Sequence, residues 1–456
     1  MANRLPRLQP THWRHHIITS THTPWTVRVV PATALGISPS KVRVTVPPVG
    51  GGFGLKFDCS VEPYAAILAQ KLGQAVSLAL GREEEMLTCL CRENAEIRLR
   101  SAVTANGEIV ARDGRVLMDC GAYGGEQVFL TTMTAHTLGG NYRLGAARLT
   151  TQAVCTNTPP NGAFRACKGV YNTFALERHT DEICRAISMD PVEFRKRHVV
   201  GDGALSATGQ VFEGDVLRPM LMRMAAKNAA LPLNAAKLVL INGRVEIEDR
   251  PGTGAAIQIV IAEHEARYGP VSGTGAFTAP GTPAMPCCAA GHFIDAIDIP
   301  VFAVHSCDVA VDRAAGHVHV LDYRVVQDVG RAINPRAIAS QVQGGVVQGL
   351  GYALHEEVTI GPDGRIEQDG FETYKIPLAG DTLPITLEMY EGAPSIGPLG
   401  TKGAGEVPIL NVGATIACAV ANATGKQVNE LPLTPPRVLD LMDAASAPLR
   451  LAHLEG

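Results

Sequence analysis

Three glycine-rich stretches hold the residues best able to do chemistry. Gly50 to Lys56 reads GGGFGLK and follows the alternating pattern KVRVTV, so N–H groups unshielded by side chains can point at an anionic or oxo ligand. The same residues also make an ordinary turn between two packed elements. A dinucleotide fingerprint needs glycine where Leu55 stands, and a P-loop needs Ser or Thr where Phe57 stands, which disfavours a nicotinamide-dependent dehydrogenase. Gln341 to Gly351, QVQGGVVQGLG, spaces Gln341 and Gln348 along a helix. Those amides can grip a polar heterocycle, or be solvated while the glycines pack helices. Gly400 to Glu406, GTKGAGE, ends in one carboxylate ahead of the apolar PILNVGATIACAVANA, a predicted buried helix. A lone Glu is ordinarily a solvated charge, but against an apolar helix it can be desolvated, raising its pKa toward the range of a general base.

The elements that must position these residues have a mixed pattern. KVRVTV reads as a half-buried strand, Glu62 to Leu72 as a helix, Ala75 to Leu80 as a short strand, and Ile97 to Asp119 as a hairpin about Asn106–Gly107. Leu176, Ile183 and Ile187 share a helix face, and Asp190-Pro191 with Glu193 starts a second helix. LVLINGRVEIE is a hairpin about Asn242–Gly243, after a junction near Asn228 to Asn234. Val309 and Val311 lead through Asp312 to Gly316 into the return strand HVHVLDYRVV. Asn334 and Pro335 then cap a helix whose Ile338, Val342, Val346, Leu350 and Leu354 form a buried stripe. The fold class expected is α/β, with α+β mixing, and domains at 1–230 and 231–456.

Composition narrows the partners. With 456 residues, 46% hydrophobic, the chain can form two or three cores. Its 40 basic and 44 acidic residues are not blocked by sign, which argues against nucleic acid or membrane and for a small-molecule substrate. No apolar run is read as spanning a bilayer and the start has no signal-peptide core, so the expected address is the cytoplasm. Eleven scattered cysteines suit reduced thiols, and neither Cys89/Cys91 nor Cys287/Cys288 has zinc or iron–sulfur spacing.

GGGFGLK, GAFRACKG (Gly162 to Gly169), ERHTDEICRAISMDPVEFRKRH (Glu177 to His198), QDVGRAINP, QVQGGVVQGLG and GTKGAGE occur in an order that resembles the molybdenum-cofactor subunit of the xanthine dehydrogenase, aldehyde oxidase and carbon monoxide dehydrogenase family. Even the closing LPLTPPRVL is similar. The resemblance implies a molybdenum–molybdopterin cofactor in its cytosine dinucleotide form, held by the pterin's sulfurs and not by protein side chains. It places Gly52, Phe53 and Gly54 beside the metal, and Arg165, Gln341 (as the glutamine opening its helix) and Gly405 near the cofactor. Glu406 is implied as the base in hydroxylation with water as oxygen source, electrons leaving to iron–sulfur and FAD subunits.

Departures from the family pattern carry their own expectations. His22 stands where a glutamine is usual and can still donate to an oxo group. Ala166 separates Arg165 from Cys167, so no copper site is assigned, and Phe57 replaces a purine-binding Glu, which disfavours xanthine. The family's amino-terminal domain is not found ahead of HHIITSTHTPW. Nor are the Gly-Gln-Gly and serine-rich loops found after Leu221 to Ala230. The alternative is therefore a non-catalytic, shortened remnant that keeps the fold without the cofactor.

Overall fold

The computed structural model describes residues 15–125, 127–228, 238–241, 244–247, 250–256, 299–382, 384–392 and 395–444. The chain start, residues 229–234 of the expected junction, the Asn242–Gly243 turn and Cys287/Cys288 lie outside these. β1 (His15–Ile18) pairs in parallel with β2 (Val42–Thr45), and α1 (Pro24–Ala34) makes the crossover that parallel neighbours need. α2 (Glu62–Leu72) has its expected bounds and stops at Gly73, whose φ of +67° ends the helix in the left-handed region. α3 (Arg82–Thr88) follows. Ala75 to Leu80 is not the strand expected: it is mostly exposed, and no described strand lies beside it to complete a ladder.

β3 (Ala95–Val103) and β4 (Ile109–Gly121) form the antiparallel hairpin about Asn106–Gly107, and α4 (Gln127–Leu138) crosses over to β5 (Ala146–Cys155), parallel to β4. α5 (Gly169–Ala186), α6 (Pro191–His198) and α7 (Leu217–Asn228) come next. Asp190 caps α6 as its sequence suggested, accepting from the N–H groups of Val192 and Glu193. β6 (Leu238–Ile241), β7 (Arg244–Ile247) and β8 (Arg250–Ala256) make a small antiparallel sheet, with Ile241 opposite Arg244 as the expected hairpin requires.

The second half then repeats the connectivity of the first. β9 (Ala303–Val311) and β10 (Val318–Asp328) form an antiparallel pair, and α8 (Pro335–Leu354) leads on to β11 (Ile385–Tyr390), parallel to β10. The strand orders β3-β4-β5 and β11-β10-β9 are thus equivalent, although no repeat is visible in the residues. Asn334 caps α8 through Ala337 N–H, and Val342, Val346, Leu350 and Leu354 are buried as their spacing predicts. Each contributes about 1.5–3 kcal/mol of burial.

The apolar stretch after Glu406 forms two helices where one was expected. α9 (Val407–Leu410) and α10 (Val412–Thr424) meet at Asn411, whose side chain donates to the Ala303 carbonyl at 3.0 Å and so fastens the break to β9. Contrary to the sequence expectation, Val407–Thr424 is long and apolar enough to cross a membrane by composition, but half of it is buried inside the fold. α10 packs on α5, α8 and β9, and α11 (Pro435–Asp443) ends the described chain. One core unites the halves, with Tyr142, Phe194 and Met220 meeting Phe302, Val304 and Val326.

Candidate active site

Three separated segments converge on the Arg165 side chain, which is only 4% exposed. Its backbone N–H donates to the Phe53 carbonyl at 2.8 Å, and its guanidinium carbon lies 5.5 Å from the Phe53 ring. Nε donates to the Gly405 carbonyl at 2.7 Å. Nη2 donates to the Gln341 carbonyl and side-chain oxygen at 3.0 and 3.3 Å, and Nη1 to Gln348 Oε1 at 3.2 Å. Burial pulls the guanidinium down from its ordinary pKa, and the neighbouring Glu406 charge opposes that pull.

Backbone geometry explains why the first loop is glycine-rich. Gly54 has φ +113°, and a Cβ there would lie 2.0 Å from the Ala163 carbonyl oxygen; one on Gly52 would lie 2.3 Å from the His22 ring. Glycine at 54 therefore lets the loop rest on the Arg165 segment, and glycine at 52 lets it rest on His22. Phe53 and Ala166 both occupy the left-handed region, at φ +53° and +62°. The Ala166 turn directs its N–H to Glu406 Oε1 at 3.1 Å.

The loop of Glu406 is held by the QDVGRAINP segment. Arg331 N–H donates to the Gly400 carbonyl at 2.8 Å, Lys402 N–H to the Val329 carbonyl at 3.1 Å, and the Lys402 ammonium lies 2.9 Å from the Asp328 carboxylate. These two sequence motifs are one structural device.

Glu406, His22, Phe53, Phe57, Cys167 and Gln341 line a cavity of about 1180 Å³. One expectation is settled between its alternatives and one needs correction. Of the two alternatives open for Glu406, the structure has the exposed one, with the residue at the turn into α9. Gln341 does not open its helix: α8 begins at Pro335, so the residue sits in the second turn, and its amide oxygen and that of Gln348 hold Arg165.

The sequence singled out none of the residues behind the Arg165 segment. Arg92 donates to the Arg165 carbonyl at 2.9 Å, and Glu93 and Lys168 form a buried ion pair at 2.8 Å. Lys168 lies within GAFRACKG, yet only its burial in the fold marks it. His305 was also missed; its Nδ1 pairs with Tyr323 Oη at 2.9 Å, while its buried Nε2, on the cavity wall, has no protein partner.

Residues 6–199 and 215–383 match two different models, each of a molybdopterin cofactor-binding domain. The chain belongs to the molybdenum hydroxylase family. It is 25% identical to the xanthine dehydrogenase molybdenum-binding subunit of Escherichia coli over 93% of this chain and 72% of that one. With the aldehyde oxidoreductase of Megalodesulfovibrio gigas it shares 25% identity over 91% and 56% of the respective chains. The crystal structure of the aldehyde oxidoreductase from Desulfovibrio desulfuricans has the same fold, at TM-score 0.76 and 22% identity over 94% of this chain and 57% of that one. This is a molybdopterin-binding oxidoreductase subunit of mixed α/β structure. The residues present fit such a cofactor: the buried His305 Nε2, orphaned on the wall of the 1180 Å³ cavity, offers a hydrogen bond to whatever fills the space.

Proposed function

We propose that this chain hydroxylates a small aldehyde or N-heteroaromatic molecule with water as the oxygen source, Glu406 acting as the base. The observation that carries this reading is the junction at Arg165, which gathers Phe53, Gln341, Gly405 and the Glu406 loop at one cavity edge. The bound molybdenum cofactor supplies the two-electron acceptor at which a C–H bond is exchanged for C–O. Glu406 has one carboxylate oxygen fixed by the Ala166 N–H and faces the cavity, so it is placed to take a proton from water-derived oxygen. Gly52, Phe53, Gly54, Arg165, Gln341 and Gly405 would contact or shape the cofactor, in the cytosine dinucleotide form. Phe53 and Phe57 give the entrance an apolar wall suited to a flat, weakly polar substrate.

Balance requires that substrate and water yield the hydroxylated product, two protons and two electrons. Iron–sulfur and FAD subunits are the proposed route for those electrons, with the cytoplasm as location. The boundary between the two cofactor-binding domains is placed at 230/231. Metal and nucleotide analysis of the chain purified with its neighbouring gene products tests the reading. Molybdenum and a cytosine nucleotide near one per chain are expected; their absence, under conditions that load a longer relative, favours the remnant.

A further inference from the structure

The loop from Asn161 to Lys168 is held in an uncommon shape. Ala166 and Lys168 are both left-handed, at φ +62° and +60°, without being glycine. Such residues persist only when their surroundings over-determine them. The surroundings here are three consecutive residues at the end of the segment after α3.

Cys91 bridges Asn161: its N–H donates to the Pro160 carbonyl at 3.3 Å, and its carbonyl accepts from Gly162 N–H at 3.1 Å. Arg92 donates through Nη2 to the Arg165 carbonyl at 2.9 Å, with its guanidinium 4.6 Å from the Phe164 ring and 5.5 Å from that of Tyr352. Glu93 grips the far side of the turn, its carboxylate 2.8 Å from the Lys168 ammonium with both side chains 1% exposed. Lys168 also donates to Gln127 Oε1 at 3.2 Å. Ala166, whose N–H meets Glu406, lies between these two attachments.

The chemistry of Arg92 is specific to its place. A planar guanidinium can lie against two rings and still donate in its plane, whereas a lysine ammonium has neither the plane nor the directed fork. We propose that Arg92 and Glu93 are positioning residues for Glu406, fixing the Arg165–Lys168 turn so that the Ala166 N–H orients the carboxylate. This rests on the reading of Glu406 as the base. Neither residue reaches the cavity of the proposed reaction; both lie along a second cavity on the other side of the turn.

The test follows the Ala166 amide resonance of the ¹⁵N-labelled full chain through the carboxylate pH range. The wild-type resonance should move with Glu406 ionisation, and Glu406→Gln should abolish the step. Arg92→Met should shrink the step by at least about half and Arg92→Lys by less, since a displaced carboxylate loses its hold on that N–H. Glu93→Gln should act like Arg92→Met, and the paired change Glu93→Gln/Lys168→Met carries that arm if the single variant does not fold. In the assembled enzyme, Arg92→Met should lower kcat by about 10- to 100-fold with KM within about twofold, the pattern of lost orientation. A full-sized step in Arg92→Met and in the Glu93 variants, with none in Glu406→Gln, overturns the positioning role and leaves the base in place. A step that survives in Glu406→Gln instead removes the Glu406–Ala166 contact and the reading built on it.

Discussion

The Lys402 ammonium lies 2.9 Å from the Asp328 carboxylate, and the two side chains are 2% and 0% exposed. Lys402 donates as well to the Pro300 carbonyl at 2.9 Å, and Asp328 Oδ1 accepts from Gly330 N–H at 3.1 Å, so the charges are paired and hydrogen-bonded. The pair joins the end of β10 to the loop that ends at Glu406.

Removing one partner strands the other as a buried charge. Asp328→Asn or Lys402→Met alone should therefore destabilise by about 3–5 kcal/mol, while Asp328→Leu/Lys402→Met recovers a large part. Urea unfolding of the three variants measures this. Single losses below about 1 kcal/mol, typical of exposed pairs, would show that water reaches the pair.

Gly54→Ala should act on two counts. Its φ of +113° is strained for alanine, and the new methyl would lie 2.0 Å from the Ala163 carbonyl oxygen. A cost of at least about 1–3 kcal/mol is expected, together with weakened cofactor retention as the loop lifts from Arg165. Gly36→Ala, with φ +65° but nothing near its Cβ, is the control for strain alone. Equal losses at both positions would remove the contact argument.

Acid should weaken the fold before its carboxylates are protonated. Burial pulls His305 down to about 3 and His179 to about 4, the latter helped by the Arg112 charge, so both stay neutral in the folded chain. In the unfolded chain they take protons below about 6.5. Their contribution is complete above that pH and is lost as pH falls toward the folded values, by up to about 1.4 kcal/mol per pH unit for each. Urea midpoints between pH 7.5 and 5.0 should fall accordingly, and His305→Gln should flatten the slope. An unchanged slope in that variant would assign the acid sensitivity elsewhere.

Much of this arrangement was legible in the residues. Asn106–Gly107 and the α8 stripe were readable because local turn chemistry and four-residue spacing determine them without reference to the rest of the chain. Glu406 and Arg165 were found through motif order, and the fold joins their segments through Arg165–Gly405 and Ala166–Glu406, pairs 240 positions apart. Tertiary context decided the remainder. Ala75 to Leu80 has strand-like composition but no neighbour to pair with, and Asn411 breaks an apolar run because a β9 carbonyl is there to accept from it. Arg92 and Glu93 follow an uninformative cysteine pair, and their roles depend on rings and charges that lie tens to hundreds of positions away.

Glu406→Gln in the cofactor-loaded enzyme is the most direct test of the whole account. The amide keeps the size of the side chain and an oxygen for the Ala166 N–H, but cannot take a proton. Turnover should drop by about 10²- to 10⁴-fold while molybdenum content stays at the wild-type level. Wild-type turnover at equal metal content would contradict the assignment of Glu406 as the base.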